Sequence, residues 1–96
     1  MRVEYSKRAT SDLRKISGES RAFGETVAAA VEVRIRETIV HIVEHPQAAA
    51  RVMERPGIYV IPLIRYPYKI FYRVFEDQIS VLHIRHASRR PWTKDR

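Results

Sequence analysis

The sequence predicts a single α+β domain over residues 1–96: an N-terminal strand, a helical hairpin and then an antiparallel three-stranded meander. A length of 96 residues suits one hydrophobic core. Apolar residues recur about every four positions in the first half and alternate in the last third, which is a change from helical to strand periodicity. The breaks between the later apolar runs are too short for crossover helices, so those strands should be antiparallel neighbours.

The first half opens with a short strand and a first helix. Val3 and Tyr5 alternate with charged residues, which is typical of a strand. Ser6 can accept a hydrogen bond from the first helical turn, so we expect it to cap a helix that ends at Ser17-Gly18. The expected buried stripe of this helix is Ala9, Leu13 and Ile16.

A second helix is predicted from about Ser20 to Glu44. Pro46 ends it, because the residue before a proline is disfavoured in helical geometry. The repeat that predicts its buried face is Phe23, Val27, Val31, Ile35, Ile39 and Val43, widened by Ala30, Thr38 and Ile42.

After Pro46 the helical pattern is lost, and residues 48–50 could add one helical turn. Pro56-Gly57 indicates a turn before the meander. Its predicted strands are Ile58 to Arg65, Tyr68 to Phe75 and Ile79 to His86. Pro62 lacks a backbone donor, so it indicates a sheet edge or a bulge in the first of them.

The middle strand has two different faces. One face suits a core beneath the helices: Tyr68, Ile70, Tyr72 and Val74. The opposite face, which we expect to be open, mixes cations with rings: Lys69, Phe71, Arg73 and Phe75. Such a face could contact phosphates and stack bases, or it could lie under a partner protein with its cations in solvent.

Charge and composition narrow the function classes. The formal net charge is +7, and residues 65–96 carry +5 of it, which indicates an anionic partner or simply a solvated surface. No cysteine is present, which excludes disulfides and cysteine-ligated metal sites. We find no signal-peptide pattern and no run of ~20 apolar residues, so we expect a cytoplasmic protein with no membrane association.

Two segments of the meander carry a family resemblance. Residues 65–74 read RYPYKIFYRV, and residues 79–89 read ISVLHIRHASR. With Tyr5-Ser6, Ala9 and Asp12-Leu13, these segments resemble the RelE/ParE superfamily of toxins from type II toxin–antitoxin modules. The Pro-Tyr strand start and the ending in His, two small residues and Arg look like the ParE branch.

The ParE resemblance implies a growth-inhibiting toxin that inhibits DNA gyrase without nuclease chemistry. It also implies a cognate antitoxin that forms a hetero-oligomer with the toxin. The helical hairpin and the ring-bearing sheet face are the two surfaces on which the antitoxin could dock. On this interpretation the target-binding residues are Lys69, Arg73, Arg85, Arg89, Arg90 and Trp92.

The RelE branch implies a different function, a ribosome-dependent endoribonuclease acting on messenger RNA. The candidate catalytic residues would then be Lys69, Arg89 and His86, with His83 as another candidate for proton transfer. The chain lacks the terminal tyrosine of that branch, since Trp92 follows Arg90-Pro91 and an indole is neither an acid nor a base. We therefore favour a toxin that is not an enzyme. A small basic nucleic-acid-binding domain is a third interpretation.

Metal chemistry has weak support in the sequence. His41 and His45 are four residues apart and could share one helical face, but no third ligand lies near them in the sequence. We interpret them as a surface pair and expect no metal and no cofactor.

Overall fold

The computed structural model of the chain describes residues 1–87, which form an α+β fold. The predicted Arg89, Arg90 and Trp92 lie outside the described residues. The helices are α1 (Lys7–Arg21) and α2 (Glu25–Glu44). The strands are β1 (Arg2–Tyr5), β2 (Ala50–Arg51), β3 (Ile58–Pro62), β4 (Tyr68–Phe75) and β5 (Gln78–His86).

Helix α1 begins where the sequence predicts and ends later. The Ser6 hydroxyl accepts a hydrogen bond from the Ala9 backbone N–H at 2.9 Å, which confirms the cap. The predicted stop at Ser17-Gly18 is wrong, because Gly18 keeps a helical backbone and the helix continues to Arg21. The chain turns instead at Gly24, whose φ is 117°.

Helix α2 is shorter than predicted at its start. Its predicted beginning at Ser20 is wrong, since Ser20 is buried within α1 and α2 begins at Glu25. Phe23 lies in the turn between the helices and is 79% exposed, so it is not part of the buried face of α2. Val27 is also exposed, and the buried face begins at Val31. The helix ends at Glu44, before Pro46, as predicted.

Within residues 1–87 the sheet has five strands, in the order β1-β5-β4-β3-β2. The antiparallel meander β3-β4-β5 is confirmed, and β1 pairs with β5 in parallel. Strand β3 ends at Pro62 rather than Arg65, and Arg65 lies in the following loop with φ of 82°. Residues 48–50 form no helical turn; instead β2 pairs with Tyr59 and Val60. Pro62 lies beyond β2, at a sheet edge as predicted.

One hydrophobic core joins the helices to the sheet. The predicted inward face of β4 is confirmed: Tyr68, Ile70 and Tyr72 are buried, and Val74 is half-buried against the same cluster. The helices contribute Ala9, Ile16, Val31, Ile35, Ile39 and Ile42. The Tyr72 hydroxyl donates to the Pro46 carbonyl oxygen at 2.9 Å, which ties β4 to the end of α2. Neither described helix has the length and hydropathy needed to cross a membrane.

Replacing either of two glycines with alanine should change the free energy of unfolding, in opposite directions for the two positions. Gly24, with φ of 117° and ψ of 155°, occupies a region that is almost restricted to glycine, so Gly24→Ala should lower the free energy of unfolding by about 1–3 kcal/mol. Gly18 lies in α1 with nothing near an added Cβ, so Gly18→Ala should raise it by about 0.5–1 kcal/mol. Urea denaturation of the two variants and the wild type measures both changes in the free energy of unfolding. Equal shifts would contradict the backbone assignment.

Candidate functional site

Three predicted target-binding cations lie on β4 and β5. Lys69 and Arg85 are direct cross-strand partners, so their side chains leave the same face of the sheet. Tyr68 and Ile70 point into the core, and the alternation of β4 therefore places Lys69 and Arg73 on the face away from the helices. Arg73 is exposed and lies opposite Ser80, about 13 Å along the strand from Lys69. We call these three residues the basic face.

A bulge in β5 determines which of its side chains lie on this face. Phe71 pairs with His83 whereas Tyr72 pairs with Val81, so Leu82 is an extra residue on β5. Before the bulge, Ile79 and Val81 are buried in the core; after it, Ile84 is buried there. The shift of one residue turns His83 and Arg85 toward the same face as Phe71 and Lys69.

Phe71 is not open to solvent, although we expected it on an open face. It is 6% exposed, and its ring stacks on His83 with centroids 5.8 Å apart. Phe75 is exposed at the end of the strand, as expected. Of the two rings that the sequence predicts on this surface, only Phe75 is therefore accessible to a partner.

Helix α1 contacts His83 through the side chain of Asp12. Its Nδ1 lies 2.6 Å from Asp12 Oδ2, and the same carboxylate oxygen accepts the Ile84 backbone N–H at 2.9 Å. The Ser6 hydroxyl donates to the Leu82 carbonyl oxygen at 2.8 Å, and the Ser6 N–H donates to the Val81 carbonyl oxygen at 3.0 Å. Ser6 and Asp12 thus supply hydrogen-bond partners to the backbone groups of β5 that lie beyond its pairing with β1.

The candidate proton-transfer groups are placed differently from the cations. The His83 side chain is 7% exposed and bound to Asp12, an arrangement typical of a structural hydrogen bond. His86 pairs with Tyr68 and its ring lies edge-on to that tyrosine, with centroids 5.5 Å apart. Because Tyr68 faces the core, His86 and Lys69 leave opposite faces of the sheet.

The electrostatics around His83 reveal a cation that the sequence reasoning missed. Burial lowers the pKa of His83, the hydrogen bond and charge of Asp12 oppose that shift, and the positive charges of Arg8 and Arg85 lower it further. Arg8 lies in the first turn of α1, which contains no acidic residue. The helix dipole disfavours a cation there, so this placement is the sequence signal that could have drawn attention to Arg8.

The lowered pKa of His83 makes the stability of the fold depend on pH. The folded state disfavours the charged imidazole relative to the unfolded chain, whose ordinary value is 6.5. The unfolded state therefore binds more protons, and the stabilisation is complete above that value and is lost as pH falls through the folded pKa. Urea midpoints between pH 8 and 5, compared for wild type and His83→Gln, should show a smaller acid-side loss in the variant. His86→Gln is the control, and equal losses in all three proteins would contradict the prediction.

The two helices enclose a groove on the other side of the molecule. Its volume is about 420 Å³, and its floor includes Leu13, Ile16 and Val31. The charges at its rim are paired with one another: Arg21 with Glu25 at 3.4 Å, and Arg36 with Glu32 at 3.3 Å. The groove therefore has an apolar floor and a polar but nearly neutral rim, in contrast with the basic face.

The family of the chain follows from its sequence. The sequence model of the family described as "ParE toxin of type II toxin-antitoxin system, parDE" matches residues 3–91. This chain belongs to the ParE toxin family. The expected superfamily and branch are both confirmed, and the match spans β1 to β5, including Ser6, Asp12 and the basic face.

Solved structures of ParE and RelE proteins share the fold. The chromosomal ParDE toxin–antitoxin system of P. aeruginosa is 26% identical, covers 92% of this ParE-family chain and 97% of its own, and has a TM-score of 0.80. The isolated E. coli RelE toxin is 23% identical, with coverage of 93% and 86% and a TM-score of 0.66. The RelBE2 toxin–antitoxin complex of Mycobacterium tuberculosis is 20% identical, with coverage of 91% and 92% and a TM-score of 0.61. A search of curated proteins found no match.

Proposed function

We propose that this ParE-family chain is a toxin that inhibits DNA gyrase and is neutralised by a cognate antitoxin. The observation that carries the proposal is the family match over residues 3–91. The proposal places the toxin in the cytoplasm, where it would act without metal or cofactor.

The layout of charges supports a binding surface rather than a catalytic one. Lys69 and Arg85 lie side by side and Arg73 extends the same face, so an acidic surface can meet several cations at once. General acid–base catalysis needs a titratable group within hydrogen-bond reach of the reacting atoms. Of the candidate histidines, His83 is occupied by Asp12 and His86 leaves the opposite face from Lys69. This separation favours gyrase inhibition over RelE-like cleavage of messenger RNA on the ribosome.

The full target-binding surface in this proposal includes residues of the C-terminal segment. It comprises Lys69, Arg73, Arg85, Arg89, Arg90 and Trp92. Trp92 would serve as an aromatic anchor and the cations as ion-pairing groups. The antitoxin would form a hetero-oligomer with the toxin, laying an amphipathic segment in the groove between α1 and α2, whose floor is apolar and whose rim is polar.

The decisive experiment assays the purified toxin for gyrase supercoiling and for translation-dependent cleavage of messenger RNA side by side. We expect inhibited supercoiling and intact messenger RNA. The variant Lys69→Gln/Arg73→Gln should lose at least tenfold in inhibitory potency, because two cations that meet the target are removed. Arg89→Ala should likewise reduce toxicity at equal expression.

The matched control is Arg14→Gln, which removes an exposed cation of α1 outside the basic face. It should inhibit as well as wild type, and far-UV circular dichroism should be unchanged in every variant. Cleavage of messenger RNA with normal supercoiling would replace the gyrase proposal by the nuclease alternative. Full potency of Lys69→Gln/Arg73→Gln would remove these two residues from the target surface.

A further inference from the structure

Two histidines at the C-terminal end of α2 form a close pair on the surface. The rings of His41 and His45 have centroids 5.1 Å apart and are tilted by 45°. Both residues are exposed, so both rings are open to small solutes. The spacing of four residues places them one above the other on a single helix face.

The ring nitrogens of this pair have no protein partner within residues 1–87. The rings touch each other, but no hydrogen bond or ion pair joins either imidazole to another described residue. Two neighbouring imidazoles that are not hydrogen-bonded to the protein present two nitrogen lone pairs, one from each neutral ring. The two rings can therefore bind one Lewis acid, such as a metal ion, between them.

The spacing of the rings suits a chelated metal ion. Zinc binds imidazole nitrogen at about 2.0–2.1 Å, so each ring centre lies about 3.2 Å from the metal. A tetrahedral angle at the metal then separates the two ring centres by about 5 Å. The observed separation of 5.1 Å is close to this value.

The helix end favours a cation at this place. His41 lies in the last turn of the 20-residue helix α2, and His45 caps it. The unsatisfied carbonyl groups at a helix C-terminus carry a partial negative charge, which stabilises a nearby positive ion. Glu44 adds a carboxylate beside His45 in the sequence, whereas Glu37 is paired with Arg34 at 3.2 Å.

The sequence led us to expect no metal here, but from the ring contact we propose that His41 and His45 form a two-ligand site for a borderline divalent transition metal such as Cu²⁺, Ni²⁺ or Zn²⁺. Imidazole selects these ions over Mg²⁺ and Ca²⁺, which prefer oxygen ligands. Residues 1–87 contain no group of three or more His, Cys, Asp or Glu side chains that could hold a metal, so water completes the coordination sphere. The pair lies at the end of α2, whereas Lys69, Arg73 and Arg85 lie on the sheet. It is next to Pro46, whose carbonyl oxygen accepts a hydrogen bond from Tyr72.

The test titrates the full, untagged and metal-stripped chain with Zn²⁺, Ni²⁺ and Cu²⁺ by calorimetry. We expect one ion per chain, tighter binding of Cu²⁺ than of Ni²⁺, and no binding of Mg²⁺. Selective shifts of the His41 and His45 imidazole resonances in an NMR titration should accompany binding. His41→Ala and His45→Ala should each weaken binding at least tenfold, because the chelate is lost.

A spacing variant keeps the number of histidines constant. Val40 is exposed, so Val40→His/His41→Val moves one imidazole by a single position and separates the pair around the helix. This variant should bind as weakly as His41→Ala, whereas His86→Gln should bind like wild type. Wild-type affinity in the spacing variant, or the absence of saturable binding to the wild-type chain, would overturn the proposal.

Discussion

Replacing Asp12 with alanine is expected to lower the free energy of unfolding by about 2–5 kcal/mol. The Asp12 carboxylate contacts the His83 ring nitrogen and the Ile84 backbone N–H with one oxygen, at 2.6 and 2.9 Å. Alanine leaves both groups without this acceptor, and each buried donor that loses its partner costs about 1–3 kcal/mol. Urea denaturation followed by circular dichroism measures the loss.

Two further variants test the cause of that loss. Asp12→Asn keeps an acceptor oxygen but loses the charge, so its free energy of unfolding should lie between those of wild type and Asp12→Ala. Glu76→Ala removes an exposed carboxylate from the β4–β5 turn and should change stability by less than about 0.5 kcal/mol. A loss below about 1 kcal/mol in Asp12→Ala would show that the contact does not hold α1 to β5.

Ile42→Ala is the second large effect that we expect, at about 2–5 kcal/mol of unfolding free energy. Ile42 is fully buried near the end of α2, where it joins the helices to the sheet in the core. Removing three carbons from such a site loses the transfer free energy of the side chain and leaves a cavity that the neighbours fill only partly.

Val40→Ala is the matched control on the same helix. Val40 is 53% exposed, so its truncation empties no part of the core. Alanine also favours the helix more than valine does, and the change should be within about 0.5 kcal/mol of zero. Similar losses at the two positions would contradict the burial pattern of α2. Chemical denaturation at one pH and temperature compares the three proteins.

Most of the fold could be predicted because the hydrophobic periodicity is strong where elements are long. The alternation in β4 correctly identified its core face, and Pro46 correctly placed the end of α2. The errors lie where local signals are ambiguous. Gly18 resembles a helix stop in sequence, but glycine tolerates a helical backbone as well as a left-handed one. Strand β2 has two residues, too few to show any period.

The site was harder to predict than the fold because it depends on contacts between distant segments. Lys69 and Arg73 could be placed on one face from alternation alone. The neighbour relation of Lys69 and Arg85 depends on the bulge at Leu82, which shifts the register. Its mark in the sequence is small: the two adjacent apolar residues Val81 and Leu82, at which the alternation changes from odd to even positions. The Asp12–His83 contact joins residues 71 positions apart, so no local spacing indicates it.

The pairing of β1 with β5 has a consequence for how the protein is made. Arg2 pairs with Gln78 and Tyr5 with Val81, so the first of the described strands to be synthesised has its partner in the last of them. Contacts between such distant segments form slowly, since the loop between them must close first. The nascent chain can form its helical hairpin early, but β1, Ser6 and Asp12 wait for β5. The basic face is therefore assembled only after β5 has been synthesised, and a nascent chain that stops before β5 cannot carry it.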